Sequence, residues 1–205
     1  MESTNLLLHV ARVKGLAPVH ILADMAGMPP DAATTGLASL QEQGHMEWKE
    51  GRFAGWKITP SGRETHKILL DQEFSAPTFP KAVLQEAYEG FSSLNTAFKT
   101  LCTAWQVREG TNDMNDHSDK KYDQGVIVRL EKIHLDALAA VTQLSNGLAR
   151  LAMYGPRLTN ALARVQAGEQ AAFARPMADS YHDIWMELHQ DLLVTLQLER
   201  TAADH

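Results

Sequence analysis

The stretch Gly51 to Arg63, GRFAGWKITPSGR, reads as the second strand of a β-hairpin running straight into a capped helix. Glu50-Gly51 supplies the tight turn, and Phe53 and Trp56 suit a half-buried strand. Thr59-Pro60 then sets an N-cap hydroxyl ahead of a proline at the first helical position. Upstream, the spacing predicts helices over Asn5 to Gly15, Pro18 to Gly27 and Pro30 to Gln43, the last two joined by the turn Gly27-Met28-Pro29. The order is helix, helix, turn, helix, hairpin, helix.

That order is a winged helix-turn-helix. It resembles the winged-helix domain of MarR-type transcriptional regulators through Leu22-Ala23-Asp24-Met25-Ala26-Gly27-Met28, Leu37-x-x-Leu40-x-x-x-Gly44 and Trp56-Lys57-Ile58-Thr59-x-x-Gly62-Arg63. The resemblance covers roughly the first seventy residues. In one respect the chain departs from the family, whose wing commonly carries an Asp just before its arginine. Here Gly51 precedes Arg52 and the nearest acid is Glu50. The resemblance implies that Pro30 to Gln43 enters the major groove of double-stranded DNA while Lys49 to Lys57 reaches the minor groove or backbone. Thr34, Thr35, Ser39 and Gln41 are then the candidates for base or phosphate contacts, and Lys49, Arg52 and Lys57 the cations of the wing.

Charge weighs against easy DNA binding. The chain of 205 residues has a formal net charge of −6. Residues 1–80 hold seven Lys/Arg against nine Asp/Glu, and residues 81–205 hold twelve against sixteen, so neither half is basic. Because phosphate neutralisation drives most salt-dependent affinity, the cations have to gather on one face. From Met28 to Trp48 there is no Lys or Arg at all.

Ser75-Ala76-Pro77-Thr78-Phe79-Pro80 breaks the helix begun at Ser61 and predicts a boundary between a winged helix-turn-helix domain, 1–74, and a helical domain, 81–200. Beyond it, Leu84, Tyr88, Phe91, Leu94, Phe98, Leu101 and Trp105 recur every three or four residues, one apolar stripe of a long helix. A polar loop, 108–124, precedes a second helix carrying Ile127, Leu130, His134, Leu138, Val141, Leu144, Leu148 and Leu151. Gly155-Pro156 is expected to end it and to start a third helix with Leu158, Leu162 and Val165. Asp179 is expected to cap the last, whose stripe is Tyr181, Trp185, Leu188, Leu192 and Leu196. The fold class expected is mainly α, a winged helix-turn-helix domain followed by an antiparallel four-helix domain that dimerises or senses a small-molecule effector.

The candidate ligand-binding residues are Asn115, Asp116 and His117 in the polar loop, His134 on the apolar face of its helix, and His182. Asp179, His182 and Asp183 share one helical face at i, i+3 and i+4. His134 or His117 could complete a shell from another element, but His134 reads as a hydrogen-bonded core residue, Asp179 as an N-cap and the helix acids as solvated, so no metal or cofactor is expected. No glycine-rich phosphate loop, G-x-S-x-G elbow or H-E-x-x-H is present, and Cys102 has no activating base beside it, so no enzyme activity is expected. The single cysteine excludes an internal disulfide. Leu6 to Leu8 is too short for a signal peptide or membrane span, so a cytoplasmic protein, most simply a homodimer without membrane contact, is expected. A second resemblance joins Trp105-Gln106, Asn115-Asp116-His117-Ser118-Asp119, Tyr122-Asp123 and Asp179-Ser180-Tyr181-His182 to an accessory region of PEP-utilising, pyruvate phosphate dikinase-like proteins. It implies, as the alternative, a regulatory or docking module for such an enzyme that does not bind DNA.

Overall fold

Residues 3–52, 54–111 and 113–198 are described by the computed structural model. Phe53, Asn112 and the ends of the expected domains, 1–2 and 199–200, lie outside them. The protein is mainly helical, with one three-stranded antiparallel sheet among the described residues. It divides into two units between Phe79 and Pro80.

The first unit runs α1 (Ser3–Lys14), β1 (Leu16–Ala17), α2 (Val19–Ala26), α3 (Pro30–Glu42), β2 (Met46–Lys49), β3 (Gly55–Ile58) and α4 (Pro60–Ser75), with sheet order β1-β3-β2. Strand β1 was not expected, and it extends the hairpin by pairing Leu16 with Lys57 and Ala17 with Trp56. Helix α2 stops at Gly27, whose φ of 63° is the left-handed cap that glycine adopts without strain. Pro30 at the first position of α3 restarts the chain. Leu7, Leu8, Val10 and Ala11 of α1 are buried with Leu22, Ala23, Leu37 and Leu40 of α2 and α3. The expected cap of α4 is present: Thr59 Oγ1 accepts from Gly62 N at 3.0 Å and donates to Gly44 O at 2.7 Å. Between α1 and α4, His9 Nδ1 lies 3.0 Å from His66 Nε2 with both rings buried, so one ring donates and the other accepts.

The second unit runs α5 (Lys81–Gln106), α6 (Lys120–Gly147), a 3₁₀ turn (Ala149–Met153), α7 (Tyr154–Gln166), α8 (Ala171–Ala174) and α9 (Tyr181–Thr195). Helix α5 packs along α6, and α7 packs on both α6 and α9. Trp185 of α9 stacks on Phe91 and Phe98 of α5 at ring distances of 4.9 and 4.4 Å, and its Nε1 donates to the buried Asn95 Oδ1 at 2.9 Å.

Several boundaries differ from expectation: α6 begins at Lys120, inside the expected polar loop 108–124, and the short α8 lies where a loop was expected. Helix α6 ends at Gly147, Leu148 is extended, and Leu151 falls in the 3₁₀ turn. Gly155-Pro156 stands in the first turn of α7, so it starts the third helix as expected but does not end α6. The cap of α9 is Ser180, not Asp179. Ser180 Oγ accepts from Asp183 N at 3.1 Å and Asp183 Oδ2 accepts from Ser180 N at 3.2 Å, a reciprocal capping box. Asp179, at φ 49°, turns its carboxylate to Arg157 instead.

Candidate functional site

The hairpin register sorts its side chains. Met46 pairs with Ile58 on the core face, and Trp48 pairs with Trp56 on that same face, where the two indoles meet edge to face at 5.7 Å. Trp48 remains 38% exposed, and its Nε1 donates to Glu50 Oε1 at 2.7 Å. Glu47 faces the other way, opposite Lys57 and 2.9 Å from Lys49 Nζ. Arg52 is exposed beside Gly51, whose φ of 127° makes the turn. The three cations expected in the wing therefore share one short hairpin with a carboxylate among them. An exposed ion pair of this kind is worth about 0–1 kcal/mol, weak enough for a phosphate to displace.

On α3 the polar candidates are exposed or half-buried but partly occupied. Thr34 Oγ1 donates to Pro30 O at 2.8 Å and Thr35 Oγ1 to Asp31 O at 3.0 Å. A phosphate can only accept, so these hydroxyls must rotate off the backbone before meeting one. Ser39 Oγ accepts from Gln43 Nε2 at 3.1 Å and keeps its proton to donate, while Gln41 is exposed on the last turn.

In the second unit the polar loop is built around three side chains at the start of α6. Asn115 Nδ2 donates to Trp105 O at 3.1 Å and to Asp123 Oδ1 at 2.9 Å. His117 Nδ1 donates to the same carboxylate at 3.1 Å, which sets its tautomer, and its φ of 60° holds the backbone left-handed. Trp105 packs against two rings, the tilted imidazole of His117 at 4.4 Å and the almost parallel Phe173 at 4.3 Å and 5°. Asp119 caps α6 through Lys121 N and Tyr122 N at 3.1 and 3.0 Å. Asp116 stands outside this group: it accepts from Ser118 N and Oγ at 3.0 and 2.7 Å, bonds that hold its carboxyl below the usual range. Asn115 and His117 were expected as ligand-binding residues, whereas Trp105 and Asp123, which complete the cluster, entered only through the motifs of the second resemblance and the apolar stripe of α5.

His134 and His182 belong to different surroundings, and no hydrogen bond or ring contact joins either to the loop cluster among the described residues. Thr159 Oγ1 gives its proton to Gly155 O at 3.0 Å and so receives the Nε2 proton of His134 at 3.4 Å; Tyr181 O–H then donates to His134 Nδ1 at 3.2 Å. Burial lowers the pKa of His134. It also lowers that of His182, which lies against Phe98, with Asp183 opposing the shift. The folded chain therefore binds fewer protons at these two rings than the unfolded chain. Their contribution to stability is complete above the ordinary value of 6.5 and declines as pH falls below it. Each histidine adds a slope of at most about 1.4 kcal/mol per pH unit. Urea midpoints are expected to fall between pH 7.5 and 5.5, and less steeply in His134→Gln; an identical slope in that variant would contradict the assignment.

The grouping Asp179, His182 and Asp183 does not assemble around a cation. Asp179 pairs with Arg157 at 2.9 Å, and Asp183 Oδ2 accepts from Ala178 N and Ser180 N at 3.1 and 3.2 Å. Among the described residues no three His, Cys, Asp or Glu side chains are placed to hold a metal. Burial pushes the Cys102 thiol up to about 12. Beneath α9 lies a buried polar chain that periodicity did not disclose. Arg157 Nη1 donates to Glu187 Oε2 at 2.7 Å, Tyr154 O–H to Asp191 Oδ2 at 3.0 Å, and Thr195 Oγ1 to Asp191 Oδ1 at 3.0 Å. Burial and the two acids lift the Tyr154 hydroxyl well above its ordinary value.

No protein-family model, curated protein or solved structure matches the chain. Among the described residues no helix is long and apolar enough to cross a membrane.

Proposed function

We propose that the chain is a DNA-binding transcriptional regulator of MarR-like type. Its first unit serves as a winged helix-turn-helix and its second as a helical dimerisation or effector domain. The observation that carries this reading is the hairpin β2–β3, joined to β1 in the order β1-β3-β2 after three helices, with Lys49, Arg52 and Lys57 exposed on it. In such a domain α3 lies in the major groove and the hairpin reaches the minor groove or backbone. Thr34, Thr35, Ser39 and Gln41 supply the polar contacts of α3. Two copies on one duplex add their contacts, with half-sites about one helical turn apart. An effector in the second unit acts by shifting the population of the copy spacing that fits the operator.

The test is a titration of the full chain against fluorescent duplexes covering its own upstream region, at low and moderate salt. Arg52→Ala is expected to weaken binding roughly threefold to tenfold and to lower the slope of log K against log salt by about 1. Absence of binding at low salt would refute the reading.

A second reading is favoured by α3 itself, which carries Asp31 and Glu42 but no Lys or Arg. With Lys49 beside Glu47, it suits a docking module for a protein partner, such as a PEP-utilising, dikinase-like enzyme. Capture of such an enzyme by a chain that ignores DNA would support it.

A further inference from the structure

Where the first turns of α6 meet the last turn of α7 there is a cleft of about 180 Å³. Trp105, Ile127 and Val165 give it an apolar lining. With Phe173 stacked on its ring and His117 packed against it at a tilt, the buried Trp105 indole is held in place and shows the cleft only part of its surface. The same wall carries Asp123, whose side chain is only 8% exposed and is held by Asn115 and His117. Lys120 stands at the mouth and is tied down, its Nζ donating to His117 O at 3.1 Å.

These charges select by exclusion. Both are already engaged, since the Asp123 carboxylate accepts from Asn115 and His117 and the Lys120 ammonium donates to His117 O, so a charged ligand would lose its water without gaining a free counter-charge. What the cleft offers beyond them is amide chemistry: Gln124, Gln166 and Gln170 each present one donor group and one acceptor. The Gln166 amide is oriented by its Nε2, which donates to Glu131 Oε1 at 2.6 Å. A ligand matching this set is uncharged, carries donors and acceptors along one edge and has a small flat apolar body.

We propose that this cleft is a binding site for a small neutral amide or lactam, about the size of a single nucleobase ring. The site would serve as the effector site of the regulator described above. It does not depend on that reading, because uptake is measured without DNA.

The experiment is calorimetric and ligand-detected NMR titration of the full chain with uracil and nicotinamide, with benzoate and benzylamine as charged molecules of similar size. The neutral probes are expected to saturate at least about tenfold more tightly than the charged ones. Ile127→Trp, which fills the cleft, is expected to lower their affinity about tenfold or more, and Gln166→Ala with Gln170→Ala about threefold to tenfold with an unchanged melting curve. No saturable uptake of either neutral probe would overturn the proposal. So would equal uptake of the charged ones, or full affinity in a folded Ile127→Trp. If Ile127→Trp does not fold, the exposed glutamine pair decides, and unchanged affinity there overturns the site.

Discussion

Arg157→Ala is expected to destabilise the second unit by roughly 3–5 kcal/mol, the cost of removing one partner from a buried ion pair. The Arg157 side chain is 17% exposed and that of Glu187 8%, so the 2.7 Å contact between them is poorly screened by solvent. Without the guanidinium, the Glu187 carboxylate must either stay charged in a poor dielectric or take up a proton, and both are costly. The second contact, to the more exposed Asp179 at 2.9 Å, adds less in direct energy. Its consequence is geometric. Arg157 and, two turns along α7, Arg164 together hold the segment before α9, since Arg164 donates to Ala178 O and Asp179 O at 3.2 and 3.1 Å. Chemical denaturation of Arg157→Ala, Glu187→Met and the double replacement Arg157→Met with Glu187→Met measures the effect. The double variant is expected to lose less than Arg157→Ala, because it removes both members of the ion pair rather than stranding the Glu187 carboxylate without its guanidinium. A loss below about 1 kcal/mol in Arg157→Ala would show that the pair behaves as a surface pair.

What the sequence made legible followed from local rules. Helix α5 was readable because Leu84, Tyr88, Phe91, Leu94, Phe98, Leu101 and Trp105 repeat at helical spacing; five of them are buried, and Tyr88 and Leu94 are half-buried. Asn95, buried on the same helix, gave no such signal, because its partner, the Trp185 indole, lies ninety residues away in the chain. The two-residue strand β1 was invisible, having too few residues for any period and existing only through its pairing with β3. At 179–180 two adjacent side chains could each cap a helix, and backbone conformation decided for Ser180, since Asp179 is left-handed. Candidate-site residues divide along similar lines. The cations of the hairpin were legible as residue types, but the carboxylate beside them comes from strand register, which places Glu47 opposite Lys57. His117 stood out in a polar loop. Asp123 read as one more acid of the polar loop, whereas it lies in the first turn of α6, and its bond to His117 accompanies the left-handed turn at that histidine.

Gly62→Ala is expected to cost about 3 kcal/mol, near the upper end of what overpacking usually does. In the strand-to-helix motif Ile58-Thr59-Pro60-Ser61-Gly62-Arg63, the glycine is required by space rather than by its dihedrals. A Cβ there would lie 2.1 Å from His45 O and 2.9 Å from Ile58 Cγ1. The carbonyl cannot simply move aside, because it also accepts from Thr59 N at 3.0 Å at the point where β3 gives way to α4. Relief therefore has to separate the first turn of α4 from the chain entering β2, and that strains the Thr59 cap, whose hydroxyl spans the same two segments. Two other glycines in helices sharpen the expectation. At Gly36 the obstacle is a side-chain end, Leu7 Cδ1 at 2.5 Å, which can rotate, and at Gly90 there is nothing within 4 Å. Gly90→Ala is accordingly expected to stabilise by up to about 1 kcal/mol through helix propensity, and Gly36→Ala to fall between the other two. Melting curves of the three variants test this order directly. If Gly62→Ala melted with the parent chain, α4 would not be seated against His45, and the hairpin would lose the support that fixes Lys49, Arg52 and Lys57 relative to α3.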